Sequence, residues 1–521
     1  MRNKKLSIAV AIGLIIAAAL LVFIFVSNRP QAVQDSYVFD LAEDDMFEAE
    51  AEAAAAETDE DIPAAVYEPS DEENELYEED ILPVDAVEFP NDTISWLIEP
   101  MWDFDAVFNF RGGMAGVEYF EDGNWESTHI LGYVNNRGEI VIPLEHRHAP
   151  AMYSYRGAPP FSEGLVAIHS ADHDAVGIFD TYGNLVVPFY YDWAWAFSEG
   201  LVAVRQGGWE ETDEGWVDTG RWGFINSTGE VVIPIQFEYA ADFSEGLAPV
   251  MQDGYWGYIN TSGEVVIPFT KTVARDEARG DPLVPRFSEG LAPISTGDWE
   301  PDEDGRWINN IRWGFIDQTG NMAIPFIYNA VSIFSEGLAA VMGGDWQTGV
   351  YWGFVDSAGN EVVAPVYEWV SHFSYGRAIV RDQDWRTMGV IDRQGNYIVP
   401  FGRYRTIRQF SQGLAAVDGG YWDEDGEFVS RGWGFIDVYG KEVIPFTYDL
   451  AGEFFEGFAA VGIDAVGRIG EGQRFDSGRW GFIDREGNVV VPIIFDEVRD
   501  FSEGIAWVRQ GDLWGLLQVN E

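Results

Sequence analysis

Five tryptophans set among acids are the residues of this chain best suited to hold a ligand. They are Trp209 and Trp216 in RQGGWEETDEGWVDTGR (205–221), Trp299 and Trp307 in STGDWEPDEDGRWINNIR (295–312), and Trp422 in DGGYWDEDGEFVSRG (418–432). An indole face beside a carboxylate can stack on a sugar ring or on a cationic side chain of a protein partner. The competing explanation is a set of ornamented hairpins whose cross-strand Trp pairs stabilise only themselves. Two metal chemistries are weaker. DEDG at 302–305 and 423–426 clusters carboxylates as calcium requires, but lacks the twelve-residue loop and its closing Glu. His129, His146, His148, His169 and His173, with Asp172 and Asp174, are zinc-binding types without a spacing that fixes geometry. Acidic turns and drift within one repeat account for both groups, so no metal and no cofactor is assigned. Phosphate-cradling glycine loops, a G-x-S-x-G elbow and an S-x-x-K pair are all missing. A glycosidase needs only two carboxylates, which could sit anywhere among the 88 acids. Polar departures are not concentrated in one place, however, and a protein that is not an enzyme is expected.

The elements that would position these tryptophans repeat. An apolar residue, usually Trp, precedes Gly132, Gly177, Gly223, Gly257, Gly314, Gly353, Gly389, Gly434, Gly481 and Gly515. Six residues after each of the first nine stands another Gly, and a Pro follows five residues later in all but one, where Pro365 arrives one residue late. That late residue is expected to make a bulge, because a one-residue slip would turn every later side chain to the other face. F-x-x-G alternates with this marker, from Phe110 to Phe501, most often as FSEG. WGFID and EVVIP read as two strands of a hairpin and GLAAV as a third, giving a three-stranded antiparallel unit. The FSEG glycine fits a positive φ, and its Ser suits a local bond to the turn backbone. The ID aspartate becomes Asn at Asn135, Asn226 and Asn260, which suits a turn residue and not a catalytic acid. The Trp before Gly gives way to Leu131, Val176 and Met388, so it reads as core.

These signatures resemble the WG-repeat (KWG-like) β-repeat proteins over about residues 94–521. The resemblance implies an all-β repeat fold, a presumed binding role and no catalytic residues. FDAVFNFRGGMAGV (104–117) matches FDEVRDFSEGIAWV (495–508), which could let a terminal strand complete the first unit. A phasing that starts at VVIP yields ten units with nothing to close, and propellers usually have about 4–8 four-stranded blades. A curved solenoid or superhelical array is therefore expected ahead of a closed, propeller-like ring. The variable segments between GLAAV and the next WG should all project from one side.

Ahead of the repeats, Leu6–Val26 is an uncharged apolar run long enough to span a bilayer, with Arg2, Lys4 and Lys5 before it. Residues 1–29 are expected to be an uncleaved signal-anchor with a cytoplasmic N-terminus and the remainder extracytoplasmic. Between residues 35 and 88 there are 22 acids and no Lys or Arg, so 30–93 reads as a disordered acidic linker that self-repulsion extends. The formal net charge of −57 disfavours nucleic acid and anionic lipid surfaces and favours basic partners. Without cysteine there is no disulfide or thiolate chemistry. Together these features describe a membrane-anchored binding or scaffolding protein for a protein or glycan ligand, a cationic one being favoured by the charge. An extracytoplasmic glycan-active enzyme is the first alternative and a structural spacer the second.

Overall fold

The computed structural model describes residues 87–520 apart from 122–128, 149–157, 171–174, 213–214, 271–285, 298, 302–306, 346–348, 383–385, 423–427 and 469–473. The expected anchor (1–29), most of the linker (30–93), both DEDG segments and Asp172, His173 and Asp174 lie outside the described residues. Among those described, every regular element is a strand, and no helix is long and apolar enough to cross a membrane.

Each repeat builds a small antiparallel meander. In the fourth unit Tyr239–Ala240, Leu247–Gln252, Tyr255–Asn260 and Val265–Thr270 pair in chain order. The expectation of three strands is corrected to four in most units. In most of these units the added first strand is two residues long, such as Trp193–Ala194 or Glu497–Val498, too short to leave a periodic pattern, whereas the ninth unit has the longer Leu450–Phe455. Units two and five have three strands among the described residues. Nine such sheets make ten units, because Tyr397–Ile407 serves both the seventh and the eighth in one seven-stranded sheet.

The second and third strands are buried on both faces, as in Leu201–Gln206 and Arg221–Asn226, because a neighbouring unit covers each face. Core clusters accordingly straddle consecutive units: Leu201, Ala203, Trp222 and Phe224 of the third pack with Ala240, Phe243, Ala248 and Val250 of the fourth. The fourth strand alternates exposed and buried positions and carries the Pro, which blunts an edge that could otherwise pair with another chain.

A bulge in this fourth strand explains the glycine of WG. Trp222 pairs with Phe237 and Phe224 with Ile233, so two steps on the third strand face four on the fourth. The displaced backbone crosses directly over the glycine: a Cβ at Gly223 would lie 2.7 Å from the Ile233 carbonyl, and one at Gly353 would lie 2.4 Å from that of Val363. The pairs Trp352–Tyr367 and Phe354–Val363 have the same spacing, so late Pro365 adds no bulge of its own. The bulge belongs to the repeat, and the proline shifts within it.

The last unit is completed by the first strand of the domain. Ile94–Trp102 pairs antiparallel with Leu513–Val519, giving the tenth unit its fourth strand. Ile98 and Pro100 occupy the places of Val363 and Pro365: a Cβ on Gly515 would meet the Ile98 carbonyl at 2.9 Å and Pro100 N at 2.7 Å. A core cluster then joins Phe104, Val107 and Phe110 of the first unit to Ile505, Trp507 and Trp514 of the tenth. The indoles of Trp507 and Trp514 donate to the carbonyls of Phe108 and Phe104. In an open array the first and last units would share none of these contacts.

Candidate functional site

The meander gives every unit two unlike ends. The F-x-x-G turn and the ID-x-x-G turn lie at one end, and the hairpin between the second and third strands lies at the other, the tip end. At the turn end the residues do structural work. The Asp or Asn of ID accepts backbone N–H bonds from the residues two and four places on, as Asp317 does from Thr319 and Asn321 and Asn226 does from Thr228 and Glu230. The hydroxyl of Thr319, with these N–H groups, holds Asp317 below the usual carboxylate range, and the Asn360 amide does the same for Asp356. Such acids are turn-formers.

The FSEG turns differ from expectation in an informative way. The Ser hydroxyl bonds outside its own turn, to the Phe carbonyl of the next unit: Ser198 to Phe243 at 2.7 Å and Ser244 to Phe287 at 2.7 Å. The Glu takes a positive φ, 55° at Glu199 and 54° at Glu245, ahead of a glycine that also has positive φ. That pair of signs marks a tight I′-type hairpin turn, in which Asn or Gly would be less strained than Glu. The Glu carboxylate accepts the glycine N–H of the next turn, Glu199 from Gly246 and Glu245 from Gly290. The series returns to its start, with Ser502 bonded to the Phe110 carbonyl and Glu503 to the N–H groups of Gly112 and Gly113.

The tip end carries the variation. Where the hairpin is short, the acid that opens the unit caps it: Glu238 accepts from Gly254 N at 2.7 Å and Asp496 from Gly511 N at 2.7 Å. Where it is long, second hairpins emerge. Trp209–Thr212 pairs with Gly215–Asp218, placing Trp209 opposite Asp218 and Trp216 opposite Glu211. Trp299–Pro301 pairs with Trp307–Asn309, so that Trp307 stands opposite Pro301. Trp422 ends the strand Leu414–Trp422, opposite Phe428. The five tryptophans thus share the tip end but belong to units three, five and eight.

The WG tryptophans are core: Trp222, Trp256, Trp352, Trp433, Trp480 and Trp514 are buried, with Trp313 half-buried. The described histidines of the first units also serve packing. His129 Nδ1 lies 2.8 Å from Oε2 of buried Glu118 and its ring 4.3 Å from Phe120, while His146 packs on Phe179 and is held below its ordinary pKa by burial. Among the described residues no three His, Asp or Glu converge as metal ligands. Asp242 is pushed up to about 6 by burial against the pull of Arg286 at 3.5 Å.

One aromatic cluster was not anticipated. His169, Trp193, Trp195, Trp222, Tyr239 and Trp256 form a run of rings with successive centroids 5.4, 5.7, 5.7, 5.5 and 5.6 Å apart, crossing units two to four. Its signal stands in the sequence DWAWAFSEG (192–200), with Trp at two positions that hold Ala330 and Ser332 in the sixth unit.

Residues 177–208, 222–256, 256–270, 313–344, 352–384, 388–418, 433–465 and 480–514 each match the WG containing repeat. The chain is a WG-repeat protein. The first unit, around Gly132, lies outside these matches. No curated protein matches the chain. Among solved structures similar to the WG-repeat domain is a Pyrococcus horikoshii acylaminoacyl peptidase, with a TM-score of 0.28 at 11% identity over 62% of this chain and 59% of that one. The extracellular domain of a putative hybrid two component system from B. thetaiotaomicron gives 0.19 at 9% identity, covering 80% and 68%. Kluyveromyces lactis Hsv2 gives 0.23 at 8% identity, covering 53% and 94%. These scores carry no argument about function.

Proposed function

We propose that this WG-repeat domain is a binding or scaffolding module whose ligand surface is the tip end of a closed, propeller-like ring. The observation that carries the reading is the division of labour between the two ends. Side chains at the turn end are engaged in bonds to the next unit, whereas the tip end varies in length and carries Trp-bearing hairpins in units three, five and eight. The module acts without catalysis, on a protein or glycan ligand. The apolar run at 6–26 anchors it as a single-pass protein with the domain outside the cytoplasm, and the acidic linker holds it away from the bilayer.

Co-sedimentation with cell-envelope polysaccharide tests the surface, beside a variant with Trp209, Trp216, Trp299, Trp307 and Trp422 changed to Ala. Binding that this variant loses while keeping its melting temperature supports the tip end. Binding that survives the five changes sinks the assignment of the surface to those hairpins.

A further inference from the structure

The bonds that tie each F-x-x-G turn to the next fail at one place where the two turns stay together. Around the domain the third residue of the motif accepts the glycine N–H of the following turn, through a Glu carboxylate or, at Gln412, through the amide oxygen. Two junctions lack this bond among the described residues. Between units one and two, Gly112 has no side chain and Arg111 replaces the Ser, so both links are lost. Between units seven and eight the Ser link persists, Ser374 Oγ to the Phe410 carbonyl at 3.1 Å, while Tyr375 stands in place of the Glu. Tyr375 keeps the positive φ, 52°, and is exposed. Neither its phenol nor the N–H groups of Gln412 and Gly413 have a hydrogen-bond partner among the described residues.

The same junction has turned basic. Arg485, on the ID turn of unit nine, donates through Nη2 to the Gln412 carbonyl at 2.8 Å. A Cβ added to Gly413 would meet that nitrogen at 3.9 Å and no other atom within 4 Å. Arg485 is exposed, and its remaining N–H groups are unpaired among the described residues. Arg377 follows Gly376 where Leu201 and Leu247 stand in their units, and its Nε donates to the Val438 carbonyl on the ID turn of unit eight. Glu336 and Glu456, the carboxylates to either side, are already taken up by the turns that follow them.

Two successive N–H groups beside a guanidinium make a concave donor set for an anion. The domain itself shows which anion fits: Glu456 accepts from the N–H groups of Glu503 and Gly504, and Glu503 from those of Gly112 and Gly113, each at 2.7 Å. We infer that the turn end at the junction of units seven and eight binds a glutamate side chain of a partner protein, its carboxylate on the N–H groups of Gln412 and Gly413 and against Arg485. The group that fills this place elsewhere is a glutamate carried on a polypeptide turn, which favours a peptide over other carboxylates. The site lies at the end of the domain opposite the inserted hairpins and is separate from the surface assigned to them. The formal charge of −57 opposes an acidic partner at long range, but salt screens it beyond about 8 Å, where the local donors and Arg377 and Arg485 decide.

Ligand-observed NMR titration of the full chain in a nonionic detergent at about 150 mM salt tests this, with triglutamate as the probe and triglutamine and trigalacturonate as comparisons. Tyr375→Glu returns the missing carboxylate from within and, if the place is as described, keeps or raises the melting temperature. Arg485→Gln removes the cation. Tyr182→Glu adds the same acid at an exposed position on the ID turn of unit two. The expected result is that triglutamate binds, that Tyr375→Glu and Arg485→Gln each weaken it about tenfold, and that Tyr182→Glu changes it by less than about twofold. Equal weakening by Tyr375→Glu and Tyr182→Glu would mean diffuse repulsion and would overturn the site. Indifference to Tyr375→Glu or to Arg485→Gln overturns it as well, as does triglutamine binding as tightly as triglutamate. Trigalacturonate binding without triglutamate would replace the peptide by an acidic glycan, and binding of neither would remove the site. None of these outcomes bears on the inserted hairpins, which the polysaccharide sedimentation tests.

Discussion

The two ends of each WG unit are made from the same meander and are under opposite constraints. At the turn end, Ser198 and Glu199 bond across to the next unit, at 2.7 Å and 3.1 Å. At the tip end, Glu238 bonds back to its own hairpin, at Gly254. A side chain bonded to a neighbouring copy must match that copy, which keeps the turn end uniform. A hairpin that closes on itself can grow or change without asking its neighbour, and ligand-binding novelty collects there.

Substitutions that invade the turn end should break this contrast most severely. Gly183→Ala puts a Cβ at positive φ and 2.4 Å from the Val141 carbonyl of the preceding unit, and should cost about 3 kcal/mol in chemical denaturation. A cost below about 1 kcal/mol would mean the units can slide apart without loss.

Asp242 gives the next effect, with a sign. Its folded carboxyl is raised to about 6, above its unfolded value, so the stability it contributes is complete below the unfolded pKa and is lost as pH rises through about 6. Asp242→Asn mimics the protonated form; it should match the parent near pH 4 and be more stable by about 1–3 kcal/mol at pH 7. Melting curves of the two proteins that stay parallel across this range would contradict the burial of the charge.

Glu199 separates strain from bonding at the turn end. Glu199→Ala keeps the unfavourable φ of 55° and loses the carboxylate, and should cost about 1 kcal/mol; Glu199→Gly loses the same bond but relieves the backbone and should cost less. The reverse order would show that the positive φ at Glu199 carries little strain, and a cost near zero for Glu199→Ala would show that the inter-unit bond contributes little. The smallest effect belongs to the tip end. Replacing the inserted hairpin at 207–220 with the short turn of the fourth unit, Asp253–Gly254, should change stability by less than about 0.5 kcal/mol while altering ligand binding. A large loss would make that hairpin part of the core.

Much of this was open to inspection in the residues alone. The alternation of apolar types, the tolerance of Leu131 and Met388 at the WG position and the Asp-to-Asn exchange at Asn226 each report a local requirement, burial or a turn, that acts within a few residues. Hydrophobic period and turn chemistry are written at that range, so the all-β repeat and the turn role of the ID acids followed from sequence.

What the tertiary structure decided are the relations between residues far apart in the chain. Ser198 and Phe243 are 45 residues apart, and Ile94 and Val519 meet only when the tenth unit takes its fourth strand from the beginning of the domain. Ile98-Glu99-Pro100 matches Val363-Ala364-Pro365 in pattern, but three residues in isolation do not say which sheet they will join. Sequence by itself determined the brick, because a unit's turns and apolar faces are local. Only the fold decided how the bricks meet, because contacts between units are set by packing across long chain separations.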